Sequence, residues 1–303
     1  MSQVVLSEPR VASPAINLSG WPGYAVSGLF IVAFLPLWIH YWTVWTADES
    51  AFGFGYFVPP SVAYLVWANR DLLRDAPESS PRRTGWFVLG SMVLLQCVAC
   101  LAEFRLLEGA AMMGIVLAGA YCLLGPGKYR VIWPSLAYTA TMIPWPGDLT
   151  SGLLFRLQQL SIGSSVWVFR QLGLRPTAEA SLLTLPHFQF EVAPACAGLT
   201  VLFPVVACAI FTAITLQARL SRKFLYVALA APISVVTNTL RIVLIGLIGN
   251  GGGAKLAMKL HDASGIVLVL ICLGILSLAG RLIGCRKLLP QYAPSKEQKE
   301  QTV

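Results

Sequence analysis

Charge is what this sequence has least of. Asp, Glu, Lys and Arg make up 12% of its 303 residues, against 56% apolar residues and a mean hydropathy of +0.69. A soluble protein carries about 25% charged residues, so a water-covered globule is excluded and lipid must cover much of the chain. Histidine is scarcer still, with three in the whole sequence, and neither an HExxH zinc signature nor a Ser–His–Asp set is present, which leaves no pattern for a zincin or a serine hydrolase. The first twenty residues hold one arginine and no apolar run, so no cleavable signal peptide is expected. A disulfide framework is missing as well. Cys97, Cys100, Cys122, Cys208 and Cys272 lie within apolar runs and Cys285 follows the last of them. QCVAC (96–100) has no further ligands to make it a metal or redox site. No metal and no cofactor are expected.

What is there is a succession of apolar runs. Eight spans are predicted, near 24–46, 52–68, 85–102, 108–124, 131–144, 195–217, 224–249 and 264–284. The net charge of +8 comes from short basic clusters between them, the pattern of cytoplasmic membrane loops and not of a nucleic-acid surface. NRDLLRDAPESSPRRTG, PGKYR, QARLSRK and the C-terminal tail hold fourteen basic residues, all on one side if the chain crosses eight times, and the opposite connections hold six. That bias predicts both termini in the cytoplasm, with 1–23 and 285–303 as tails flanking a membrane domain over 24–284. The expected fold is an all-α, polytopic transmembrane helix bundle of the cell membrane. In a double-membraned cell that means the inner membrane.

The longest connection on the outer side covers 145–194. LLFRLQQLSIGSSVWVFRQLG within it repeats apolar residues at helical spacing, with Arg156, Gln158, Gln159 and Arg170 interspersed. That predicts an external amphipathic helix on the membrane surface or capping the bundle. In SLLTLPHFQFEVA, alternating Phe188, Phe190 and Val192 predict a short extended segment, which leads to Cys196 at the outer mouth of the sixth span.

Polar groups inside apolar spans are costly, so each is a functional candidate. Arg241 is the one charge in FLYVALAAPISVVTNTLRIVLIGLIG, with Asn238 three residues earlier on the same helical face. A bland reading of Arg241 is an anchor snorkelling to the headgroups. His261 lies in the loop predicted before the eighth span, with Gly265 four residues later to let another backbone approach. His187, nine residues before Cys196, is a rival base, and His40 lies in the first span. The predicted topology puts Cys196, Arg241 and His261 at one depth on the outer side. A thiol with a histidine to take its proton and a guanidinium to face an oxyanion suits acyl transfer. Two other readings stay open: a transporter with Arg241 and His261 lining its pathway, and a polysaccharide-export assembly protein without a catalytic cysteine.

Three segments carry a resemblance. ACAGL (195–199), NTLR (238–241) and HDASG (261–265) appear in the order and spacing of the exosortase/archaeosortase membrane enzymes, whose pattern includes an ACSGL-like segment, N-x-x-R and H-x-x-x-G. The likeness also takes in IPWPGDL and the LP-F-FEVA approach, and covers roughly residues 140–280 well. It implies a cysteine endopeptidase or transpeptidase that removes the C-terminal sorting tail of exported proteins (a short motif, a membrane helix and a basic cluster) through a thioacyl enzyme. By matching position, Cys196 would be the nucleophile, Arg241 the transition-state stabiliser and His261 the general acid/base. Asn238, Gly198 and Gly265 would support them. The implied partners are the tailed substrates, membrane lipid, and an amine-bearing lipid or glycan acceptor, or water. The sequence departs from the family pattern twice. Ala197 stands where a serine is common, and the histidine of a YSHG-like segment is missing from AFGFGYFVPP.

Overall fold

In a computed structural model, residues 28–48, 50–80, 83–192, 198–216 and 218–284 are described. Helix α1 (Leu35–Thr46) leads through a 3-10 turn at Gly55–Phe57 into α2 (Val58–Ala68) and the short α3 (Arg70–Asp75). Two long helices follow, α4 (Arg83–Leu101) and α5 (Arg105–Ala137), then α6 (Gly147–Gln171). A small sheet of β1 (Thr177–Glu179), β2 (Leu182–Leu185) and β3 (Phe188–Glu191) precedes α7 (Leu199–Thr215), α8 (Leu220–Ala228), α9 (Ala230–Asn250) and α10 (Ala254–Leu282). The fold is thus mostly helical, as expected.

Among the described residues, four stretches are long and apolar enough to cross a membrane: Arg83–Leu101, Arg105–Met142, Leu220–Asn250 and Ser264–Leu282. Leu199–Thr215 is apolar but shorter. At the first two predicted spans the helices are broken or short: α1 has 12 residues with helical residues 28–33 before it across a turn at Phe34, and α2 has 11, against the ~20 of an uninterrupted crossing. The described residues therefore support a membrane protein without establishing eight spans. Phe87, Leu94, Val98 and Leu101 of α4 point outward, an apolar surface of the kind lipid covers.

The predicted spans 108–124 and 131–144 fall in one helical stretch that Gly125 breaks. Its φ of +72° is left-handed, and a Cβ there would collide with the Ser79 carbonyl, so only glycine fits. The loop after α3 docks on this break through Ser79 Oγ, which accepts from the Gly127 N–H at 3.1 Å.

Among the described residues, three apolar clusters hold the fold. One joins α1, α2, α5 and the 138–143 turn around Leu37, Tyr41, Leu65 and Met112. A second joins α7, α8 and α10 around Val205, Tyr226, Cys272 and Leu276. The third packs α6 and the sheet on α9 through Phe169, Leu183, Leu185 and Ile242. The predicted extended segment is the third strand of a fully antiparallel sheet, with Leu182 opposite Glu191 and Leu185 opposite Phe188. Alternation buries Leu183 and Leu185 on one face. Gly246 and Gly249 of α9 let Phe169 and Phe188 lie directly against the helix. The amphipathic helix is α6, and its apolar stripe packs on α9.

Candidate active site

The buried face of α9 recurs at helical spacing through Ser234, Asn238, Arg241, Ile242 and Ile245. Val236, Leu240 and Leu244 form the opposite, exposed face. A snorkelling arginine would belong with those leucines. Arg241 instead points inward and is 7% exposed. Its Nη2 donates to the backbone carbonyl of His261 at 2.8 Å, a charge-assisted bond of about 1.5–3 kcal/mol. Among the described residues its Nε has no hydrogen-bond partner. A guanidinium held at one edge with a donor to spare is suited to a transient anion.

His261 is not in the loop that the sequence predicts. It lies two turns inside α10, which starts at Ala254. The Gly251–Gly253 run ends α9, with Gly252 at a φ of +92°, and the sequence AKLAMKLH after it contains no helix breaker. The His261 carbonyl also accepts from Ser264 Oγ at 2.9 Å. Gly265 follows one turn later, but nothing lies within 4 Å of where its Cβ would be. The expected close backbone approach is therefore absent among the described residues; Gly265 leaves open space instead.

Cys196 and Ala197 lie outside the described residues, and the chain on either side of 193–197 is fixed. Val192 is buried, its N–H bonds the Ser181 carbonyl at 2.8 Å, and its own carbonyl accepts from Gln158 Nε2. On the other side Gly198 caps α7 with a φ of +93°, and its carbonyl receives the Leu202 N–H at 2.8 Å. Asn238 sits directly under Gly198, with Nδ2 3.2 Å from where a Cβ would stand. A side chain at 198 would be strained by φ and crowded by Asn238. Asn238 is fully buried and donates from Nδ2 to Ser161 Oγ of α6 at 3.2 Å. Its described contacts thus tie the start of α7 to α6.

Arg241, His261 and Gly265 line one open cavity of about 690 Å³, together with Thr200 from the first turn of α7. His187 does not line it. That residue is exposed on the β2–β3 hairpin, where its N–H donates to Asn250 Oδ1 at 2.9 Å. Of the two bases weighed from sequence, the fold brings His261 to Arg241.

The facing wall comes from the other half of the chain: Trp42, Trp45, Ser50, Gly53 and Tyr56. Sequence reasoning missed these residues as site residues. Trp45 is held firmly, since its Nε1 donates to the Met142 carbonyl at 3.1 Å and Gly55 lies flat against the indole. The available signal was AFGFGYFVPP, whose closely spaced glycines and aromatics suit a segment that packs tightly on another surface.

A family model described as transmembrane exosortase matches residues 38–278. Comparisons with curated proteins and with solved structures give no match. The matched region takes in both walls of the cavity, from Trp42 to Gly265. The chain belongs to the transmembrane exosortase family.

Proposed function

We propose that this protein is a membrane cysteine endopeptidase or transpeptidase that cuts the C-terminal sorting tail from exported proteins at the Arg241–His261 cavity. The observation that carries this reading is the convergence of Arg241, His261 and Thr200 on one open space, with Cys196 four residues before Thr200 in the sequence. The expected topology, from the loop charges, has the site on the external face and both termini in the cytoplasm.

In the proposed reaction His261 takes the Cys196 proton, and the thiolate sulfur attacks the scissile carbonyl carbon. The carbonyl oxygen becomes an oxyanion facing the Arg241 guanidinium. Collapse re-forms the carbonyl and breaks the C–N bond, and the histidinium protonates the departing amine. A thioester remains on Cys196. An acceptor amine or water then attacks it, gives a proton to His261 and releases the thiol with the amide or acid. Asn238 and Gly198 are positioning residues here, because they fix the start of α7 just after the nucleophile.

Cys196→Ala should abolish tail removal from a co-expressed tailed protein while the variant still fractionates with the membrane. Processing at the normal rate would refute the assignment and favour a transporter or assembly protein.

A further inference from the structure

A second cavity, of about 600 Å³, adjoins the first and shares Ala47 and Ser50 with it. We propose that this second compartment is a phosphate subsite built on Arg105, which seats the headgroup of the second substrate beside the acyl site. Its role as an acceptor site rests on the acyl-transfer reading above; its binding chemistry does not.

The argument starts from the way Arg105 is held. Arg105 lines the cavity, and its side chain is 45% exposed. Nη1 donates to both oxygens of Glu108, at 3.1 and 2.9 Å, and the Glu108 side chain is only 4% exposed. A buried carboxylate thus clamps one corner of the fork. Among the described residues, Nη2 and Nε make no hydrogen bond, so their N–H groups remain for a ligand. A planar fork with its orientation fixed in advance matches the oxygens of a phosphate better than a mobile ammonium would.

The surroundings favour phosphate over a peptide carboxylate. Phe104 and Trp145 flank Arg105 in the wall and are half exposed. Arg105 itself opens α5, and Gly147 and Thr150 belong to the first turn of α6. Helix ends carrying aromatic rings and a partly exposed arginine mark the headgroup layer, where phosphate is the abundant anion. The shared wall at Ala47 and Ser50 lets a ligand anchored by its phosphate extend a nucleophile into the first cavity.

The test titrates the full-length protein, in a phosphate-free detergent, with two probes: glycerol 3-phosphate, and phosphatidylglycerol in mixed micelles. The readout is the Trp145 emission, isolated as the difference from Trp145→Phe. A saturable change is expected with at least one probe, and it should weaken tenfold or more in Arg105→Gln/Glu108→Gln. That double variant replaces the ion pair with a neutral, hydrogen-bonding one, so folding does not depend on an unpaired buried carboxylate. Arg105→Lys should show an intermediate loss, and Arg170→Gln, outside both cavities, should match wild type. A response to the lipid alone assigns the site to a membrane headgroup; a response to the soluble probe supports a phosphate ester of either origin. Unchanged titration in the double variant, no saturable response to either probe, or equal competition by succinate would overturn the proposal. Repeating the titration in Cys196→Ala separates the two readings, because phosphate binding should survive there even if the thiol is not the nucleophile.

Discussion

Two arginines stand at neighbouring cavities, and they are held in different ways. Arg241 is buried, and the bond that fixes it runs to a neutral backbone carbonyl. Arg105 is half exposed and bound through one nitrogen to both oxygens of a buried carboxylate. A carbonyl orients a guanidinium without cancelling its charge, so Arg241 can meet charge that develops during a reaction. Glu108 holds one nitrogen and offsets part of the charge while the side chain stays half exposed. Arg105 is therefore better suited to seat a ligand that arrives already charged than to stabilise a transient oxyanion.

The strongest way to break this contrast is Arg241→Ala. Tail removal should fall by roughly two to three orders of magnitude in a single-turnover assay, the scale of losing one oxyanion donor. Arg241→Lys should restore little, since a point charge does not replace a fork. A loss under tenfold would return Arg241 to the role of structural anchor.

Arg105→Ala should act on stability first. It strands the Glu108 carboxylate, but the pair is open to water on the arginine side, which discounts the cost to about 1–3 kcal/mol. Melting should fall accordingly, and Arg105→Leu/Glu108→Leu should recover most of it. A large loss of single-turnover cleavage at unchanged melting temperature would make the two arginines equivalent and remove the distinction.

Gly55→Ala probes the aromatic wall that faces Arg241. Its new Cβ would overlap the Trp45 indole, and overpacking of this kind costs about 1–3 kcal/mol. KM for the tailed substrate should rise several-fold with kcat nearly unchanged. A fall in kcat alone would mean that the wall shapes the transition state and not substrate binding.

The smallest effect belongs to an exposed pair that resembles Arg105–Glu108 in chemistry alone. Lys128 hydrogen-bonds Glu78 at 2.8 Å, and that contact holds the fully exposed Glu78 carboxyl below its usual range. A lowered folded-state value adds stability above the unfolded pKa and loses it as pH falls through the folded one. Because water screens this pair, Glu78→Gln should melt like wild type at neutral pH and near pH 4. A clear pH-dependent difference would mean that the Gly125 break depends on it.

Much of this was legible in the sequence because membrane chains mark their exceptions. Arg241 and Asn238 stood out as polar residues in an apolar run, and burial on one helical face bears out the spacing argument. The small sheet was legible as one strand because only FQFEV alternates cleanly; β1 is three exposed residues recognisable only by pairing. His261 was misplaced because a lysine-rich stretch reads as loop, whereas the absence of a breaker after Gly253 lets the helix begin early. The Trp42–Tyr56 wall was not legible as part of a site, since aromatic residues in an apolar run look like core until a cavity opens beside them. Gly198 carried a real signal in ACAGL, and its φ and the Asn238 contact supply the physical reason for it.

The most direct test of the acyl-transfer account is to trap the intermediate. Full-length protein in membranes would be mixed with a tailed substrate, quenched in acid, digested and measured by mass. The account predicts a substrate-derived acyl group on the Cys196 peptide, released by hydroxylamine, absent in Cys196→Ala and slower to form in Arg241→Ala. Tail removal at the wild-type rate by Cys196→Ala, with no acyl group on any cysteine, would contradict it.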